Sequence, residues 1–205
     1  MSVDHPPEIY FSADIETDGP YPGRYSMLSF GLVAVATYDG ETVCRLDPRA
    51  HAAYWELRPQ SDEYDPEALA VNGLDRDRLQ RTGLSADEAM SAAARWVREL
   101  SGERRPVLVA YPVAFDWLFL YWYFMNFGGG SPFGHGSCID IRSLYVGATG
   151  ATFGRSSKRH VPGSLQPLAA HTHHALDDAI EQGQLFVNIL EYAVGRTGPE
   201  VAARE

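Results

Sequence analysis

Residues 8–16 read EIYFSADIE, and their alternation decides the fold. Ile9, Phe11, Ala13 and Ile15 alternate with Tyr10, Ser12, Asp14 and Glu16, the period of two expected of a β-strand with one apolar face. Downstream, a Gly/Pro-rich turn, DGPYPG at 18–23, leads into a second strand predicted over residues 27–38. A third is expected within residues 42–57, interrupted at Asp47-Pro48. A helix is predicted over residues 85–100, opened by a Ser85/Glu88 capping-box pattern and carrying Ala89, Ala93, Trp96, Val97 and Leu100 as an apolar stripe. A short buried strand over 107–111 precedes a helix over 114–127 that ends in three glycines. Residues 138–141 suit a last strand followed by a short helix, and residues 147–163 a loop rich in Gly, Ser and basic residues. The final long helix is predicted over 175–194, with Leu176, Ile180, Val187 and Leu190 on one side. Strands first, then strands alternating with helices, imply an α/β domain with a mixed central sheet of about five strands flanked by helices.

The chain has 205 residues, 45% hydrophobic and 21% charged, the balance of an ordinary globular protein. The expectation is a single domain over residues 1–205, its core about 9–192, with short flexible termini. Cys44 and Cys138, far apart in sequence, make neither a disulfide framework nor a zinc knuckle and read as reduced thiols in a cytoplasmic protein. The first residues, MSVDHPPEIYF, lack the basic and apolar regions of a secretory signal. Residues 107–125 are nearly all apolar and long enough for a membrane span. Asp116 near their centre and Pro112 argue instead for a strand, a loop and a helix, and no membrane span is expected. The formal net charge of −10 excludes a mode in which charge alone grips nucleic acid. It leaves open an enzyme whose carboxylates hold divalent cations, since those become the largest local positive charges.

Three groups of residues carry chemistry. Asp14 and Glu16, two apart on a strand, leave the same face side by side. Like charges that close repel unless a proton or a cation intervenes, although a solvent-exposed polar strand face would look the same. Asp116 is embedded in VLVAYPVAFDWLFLYWYF, and aspartate is rarely buried unless paired or metal-bound. It could equally cap the helix that follows. In HTHHALDDAIEQG (171–183), Asp177 and Asp178 fall in the first helical turn, where the helix dipole favours anions. His173 just before them is a candidate general base, and a polar helix start with surface histidines is the plainer alternative. Carboxylates from a first strand, a middle helix and a last helix are what a site holding two divalent cations requires, and oxygen donors favour Mg²⁺ or Mn²⁺.

The strings ADIETDG (13–19), MLSFGLVAV (27–35), ALAVNGL (68–74), AFDWLFL (114–120) and HHALDDA (173–179) follow the motif order of the DEDDh 3′–5′ exonucleases, which the chain resembles over nearly its whole length. The family's last motif is His, four residues, then Asp. Of the three nearby histidines only His173 fits, with Asp178 five positions on. The resemblance implies a ribonuclease-H-like fold, with Asp14, Glu16, Asp116 and Asp178 as ligands of two divalent ions and His173 as general base. It also implies hydrolysis of the terminal phosphodiester at the 3′ end of a single-stranded RNA or DNA, releasing a nucleoside 5′-monophosphate. His171, His174 and Asp177 receive no role. By the same resemblance the backbone at Ile15 and Thr17 lies near the terminal sugar, and a homodimer is expected.

Phe115, Trp117, Tyr121 and Trp122 offer aromatic surface for sequence-tolerant base stacking, though at helical spacing they also suit a core. Tyr54 and Trp55 are likewise open. Arg155, Lys158, Arg159 and His160, in GRSSKRH, form the densest basic loop and are read as phosphate-tracking, or as a solvated surface loop. One departure stands out: many family members carry His-Asn before Ala-x-Phe-Asp, whereas here Tyr111-Pro112 stands there. Competing readings are a binding module with a degenerate site, a ribonuclease-H-type endonuclease, and a zinc hydrolase using His171, His173 and His174.

Overall fold

Strand β1 (Glu8–Thr17) lies in the middle of the sheet, with a pairing partner along each edge and all but Glu8, Asp14 and Glu16 buried. It pairs antiparallel with β2 (Met27–Tyr38), setting Asp14 opposite Gly31 and Glu16 opposite Ser29. On its other side it pairs parallel with β5 (Arg105–Ala110), which in turn pairs parallel with β6 (Cys138–Asp140). The sheet is therefore mixed, as expected. The computed structural model describes residues 6–169 and 171–196, and the expected flexible termini lie largely outside the described residues.

The predicted third strand is two. β3 (Val43–Arg45) and β4 (Ala52–Glu56) pair with successive stretches of the same β2 edge, on either side of the Asp47-Pro48 turn. Proline has no N–H to give a ladder, so the break falls there. Two short helices, α1 (Pro66–Asn72) and α2 (Arg76–Thr82), were not expected from periodicity. Each is capped by an aspartate, Asp65 accepting from the Glu67 N–H and Asp75 from the Arg78 N–H. Helix α3 (Ala86–Ser101) starts on the predicted capping box, with the Ser85 N–H donating to Glu88 Oε2 at 3.0 Å. Helix α4 (Val113–Phe127) and helix α5 (Ile141–Thr149) follow β5 and β6. The basic stretch is less irregular than a plain loop: α5 extends to Thr149, and 3-10 turns occupy Phe153–Arg155, Lys158–His160 and Gly163–Leu165. Helix α6 (Ala175–Arg196) completes the order.

Two apolar cores sandwich the sheet. Ile9, Phe11, Ala13 and Ile15 pack with Phe30, Ala93, Val97, Leu120 and Phe124 under α3 and α4. Tyr10, Val33, Val35 and Val109 pack with Ile141, Ala179, Phe186 and Ile189 under α5 and α6. This second core corrects the expectation of a strand with one apolar face. Tyr10 and Ser12, on the same side as Asp14 and Glu16, are fully covered. Glycine permits this. A Cβ on Gly31 would stand 2.6 Å from the Leu176 Cα, and one on Gly183 would stand 2.6 Å from a Val35 methyl. The start and middle of α6 therefore lie directly on β2. No helix among the described residues is long and apolar enough to cross a membrane.

Candidate active site

Because α6 lies on that face, the carboxylates of β1 are half-buried beside the start of α6. Oxygens of Asp14, Glu16 and Asp178 all come within 4.8 Å of one another. Gln182, one turn beyond Asp178, locks the arrangement by donating from Nε2 to the Ala13 carbonyl at 2.6 Å. Asp116 enters from α4. It is not the cap of that helix: Pro112 stands at the cap position, and Asp116 is buried in the first turn behind it. Asp140 sets that helix start, accepting the Val113 N–H on Oδ2 at 3.0 Å while Oδ1 accepts the Ser143 N–H and caps α5.

Electrostatics follow from crowding anions out of water. Burial raises Asp14 well above the ordinary carboxylate range, reinforced by the negative charges of Asp116, Glu16 and Asp178 and opposed by Lys158. Burial, then Asp178, pushes Glu16 up to about 7. Burial pushes Asp116 up to about 8, against the Asp116 and Ile15 backbone amides and Lys158, which favour its ionised form. Oxygens of Asp14, Glu16 and Asp178 converge from β1 and α6, and Asp116 of α4 lies outside that 4.8 Å group but close enough to act on Asp14. Carboxylates that resist ionisation individually and are grouped in this way suit a divalent cation, which stabilises the ionised form of each.

The histidines divide. The His173 N–H donates to Asp178 Oδ2 at 2.9 Å and the Thr172 N–H to Oδ1 at 2.7 Å, so Asp178 ties the loop before α6 to its own helix. His173 adopts φ 60°, a left-handed conformation uncommon for residues other than glycine. Its exposed ring lies edge-on to His171, centroids 4.5 Å apart, and His171 Nδ1 approaches Asp178 Oδ2 at 3.1 Å. His174 turns away to stack on Tyr54 at 4.7 Å, with Nδ1 3.5 Å from Asp177. His171 and His173 thus bring ligand atoms within 4.8 Å of one another and of Asp178, but His174 stands apart, so the three histidines do not form one tetrahedral site.

Other expected substrate contacts are placed as follows. The Ile15 and Thr17 side chains are buried, and Thr17 Oγ1 donates to the Gly19 carbonyl. Only their backbone can meet a ligand, and the Thr17 carbonyl already accepts from Asn72 at 2.9 Å. Phe115 is exposed beside Asp116. Trp55 belongs to the core, stacked on Phe30, whereas Trp117 stacks on Tyr121 along half-buried α4. Arg155 and Arg159 stay exposed on the basic loop, while Lys158 turns inward to pair with buried Glu181 of α6. Glu181 was not anticipated from sequence. Its signal is helical spacing, three residues after Asp178 and so on nearly the same side.

In fold the chain matches the nuclease domain of 3′hExo, a DEDDh family member, with a TM-score of 0.67 at 14% identity, covering 90% of this chain and 92% of that one. It also matches Exonuclease I of E. coli, with a TM-score of 0.61 at 15% identity over 92% of this chain and 42% of that one. No family model matches the sequence. The chain belongs to the DEDDh 3′–5′ exonuclease superfamily, a class of hydrolases that act on nucleic acids and use divalent metals. It is 33% identical over 180 residues to the 3′-5′ DNA exonuclease Cap18 of Escherichia coli, covering 87% of this chain and 90% of that protein.

Metal-free protein should reveal the crowding directly. A carboxylate with a raised folded-state pKa binds its proton more tightly folded than unfolded, so stability falls as pH climbs from the unfolded value of about 4 through about 8. The thermal midpoint without metal is expected to drop between pH 6 and pH 8.5. Saturating Mn²⁺ or Mg²⁺ should restore it by roughly 5–10 °C, more at the higher pH. A midpoint indifferent to metal across that range in differential scanning fluorimetry would remove the basis for the metal assignment.

Proposed function

We propose that this chain shortens single-stranded DNA from its 3′ end, with Asp14, Glu16, Asp116 and Asp178 holding two Mg²⁺ or Mn²⁺ ions and His173 as general base. The observation that carries this reading is the approach of Asp14, Glu16 and Asp178 within 4.8 Å, with Asp116 buried beside them. Two divalent ions held there would supply Lewis-acid charge at the attacking and leaving oxygens. The exposed ring of His173, on a loop anchored to Asp178, takes the proton from the attacking water. Attack in line then breaks the bond to the 3′ oxygen of the penultimate nucleotide and frees a nucleoside 5′-monophosphate. The backbone at Ile15 and Thr17 lies against the terminal sugar. Phe115 offers a face for a base, and Arg155 and Arg159 follow the phosphates upstream. DNA is preferred over RNA in this reading because the relative at 33% identity is named a DNA exonuclease.

The test uses 5′-labelled single-stranded DNA and RNA of matched sequence with Mn²⁺ or Mg²⁺, beside a closed circular single strand. The expected result is a ladder shrinking from the 3′ end of the DNA, abolished by EDTA, with the circle intact. Cleavage of the circle would replace the exonuclease reading with an endonuclease, and a ladder on RNA alone would overturn the DNA assignment.

A further inference from the structure

Glu181, three residues after Asp178 on α6, is a further buried carboxylate, 4% exposed, and a buried carboxylate without a counter-charge is strongly disfavoured. Its partner is the Lys158 ammonium. That lysine comes from the basic loop, and the loop is fastened from several sides. The Tyr111 hydroxyl donates to the Ser156 carbonyl at 2.5 Å, and Arg142 Nε donates to Ser156 Oγ at 3.1 Å. Arg142 also lies over the Phe153 ring at 4.3 Å. Gln166 Nε2 donates to the Lys158 carbonyl at 2.6 Å, and Lys158 Nζ sits 5.3 Å from the centre of the Tyr111 ring. Tyr111 is one of the two residues that stand in place of the family's His-Asn, and here its ring is the surface over which the lysine rests.

The outcome is a preset cation. Glu181 and Asp178, at that spacing, lie on nearly the same side of the helix, and the pair with Lys158 sets the ammonium on the side of α6 that carries Asp178. An ammonium has three donors, and one contact to Glu181 leaves others for a second acceptor. Arg155 and Arg159, two turns of the same loop, remain at the surface. Only Lys158 is brought to the carboxylates by a buried partner of its own.

We propose that Lys158 contacts the scissile phosphate, and that Glu181 and Tyr111 are positioning residues that hold its ammonium there. This rests on the nuclease reading of the same site. A phosphodiester entering a cleft of four carboxylates meets net repulsion wherever its charge is not matched, and a lysine fixed in advance offsets it without reordering a long flexible side chain. The pair also accounts for a glutamate that no ligand assignment uses.

The test compares Lys158→Gln, Lys158→Arg and Glu181→Gln with the unaltered protein on single-stranded DNA, measuring kcat, KM, their salt dependence and the thermal midpoint. Lys158→Gln retains a donor for Glu181, which guards against misfolding. It should lower kcat/KM about 100-fold and flatten the plot of log kcat/KM against log salt by about 0.7, the contribution of one phosphate contact on a single strand. Lys158→Arg should recover part of the loss. Glu181→Gln should cost about 10-fold, mainly in kcat, with the metal-induced rise in midpoint unchanged. A folded Lys158→Gln variant with unaltered kcat/KM and unaltered salt slope overturns the assignment while leaving the exonuclease reading intact. An unaltered protein that makes no ladder overturns both.

Discussion

Asp14→Asn is expected to lower kcat/KM by on the order of a thousandfold, roughly 4 kcal/mol of transition-state stabilisation, while raising the thermal midpoint of the metal-free protein at pH 8. The two effects have opposite signs for one reason. Asp14 is the most crowded of the carboxylates, facing Asp116, Glu16 and Asp178 in a buried setting. An asparagine keeps its volume and can still accept from Gln182, whose Nε2 stands 3.4 Å from Asp14 Oδ1. It removes one negative charge from a repelling group, which stabilises the fold when no cation is present. It also removes an anionic oxygen from the place where a cation would sit, which weakens metal affinity and the reaction together. Steady-state kinetics and scanning fluorimetry on one preparation check both halves. Loss of activity and of stability in parallel would mark Asp14 as a packing residue and withdraw support from the ligand assignment.

The second large effect concerns His173. A positioned general base contributes about 10²–10⁴ in rate, so His173→Asn is expected to lower kcat by that order with KM little changed and the metal-induced midpoint shift retained. Asparagine is the informative substitution because it tolerates the left-handed backbone that His173 adopts, where alanine would add strain. It also keeps the N–H that donates to Asp178. His171→Asn is the needed companion, since His171 Nδ1 lies 3.1 Å from Asp178 Oδ2. A kcat that survives His173→Asn and collapses in His171→Asn would move the base role two residues upstream.

Much of this architecture was legible in the sequence because it is written in short-range periodicity. The alternation along residues 8–16, the Ser85/Glu88 cap and the stripe on α6 are each local signals, and the elements they specify formed within one or two residues of the expected limits. Helices α1 and α2 escaped notice since seven residues give too few turns for a stripe. Their caps were nonetheless visible as Asp65-Pro66 with Gly73 and as Asp75 with Gly83. The covering of the Asp14 face could not be read from β1 alone. It depends on Gly31 and Gly183 admitting a helix from the other end of the chain, and single glycines carry no directional signal. Likewise the basic loop was recognisable by composition, but nothing local distinguished Lys158 from Arg155 or Arg159. The distinction lies in Glu181, a tertiary partner.

The distance along the chain between the first and last ligand motifs has a consequence for biosynthesis. β1, β2 and α4 can pair and collapse as soon as they are made, giving three of the carboxylates an early home, but α6 brings Asp178 and is preceded by His173. Until that segment has been synthesised and seated against β2, the growing polypeptide lacks Asp178 and His173, the acid and base of the proposed site. Since domains assemble during translation from the N-terminal side, the proposed site would be complete only once the last helix has docked.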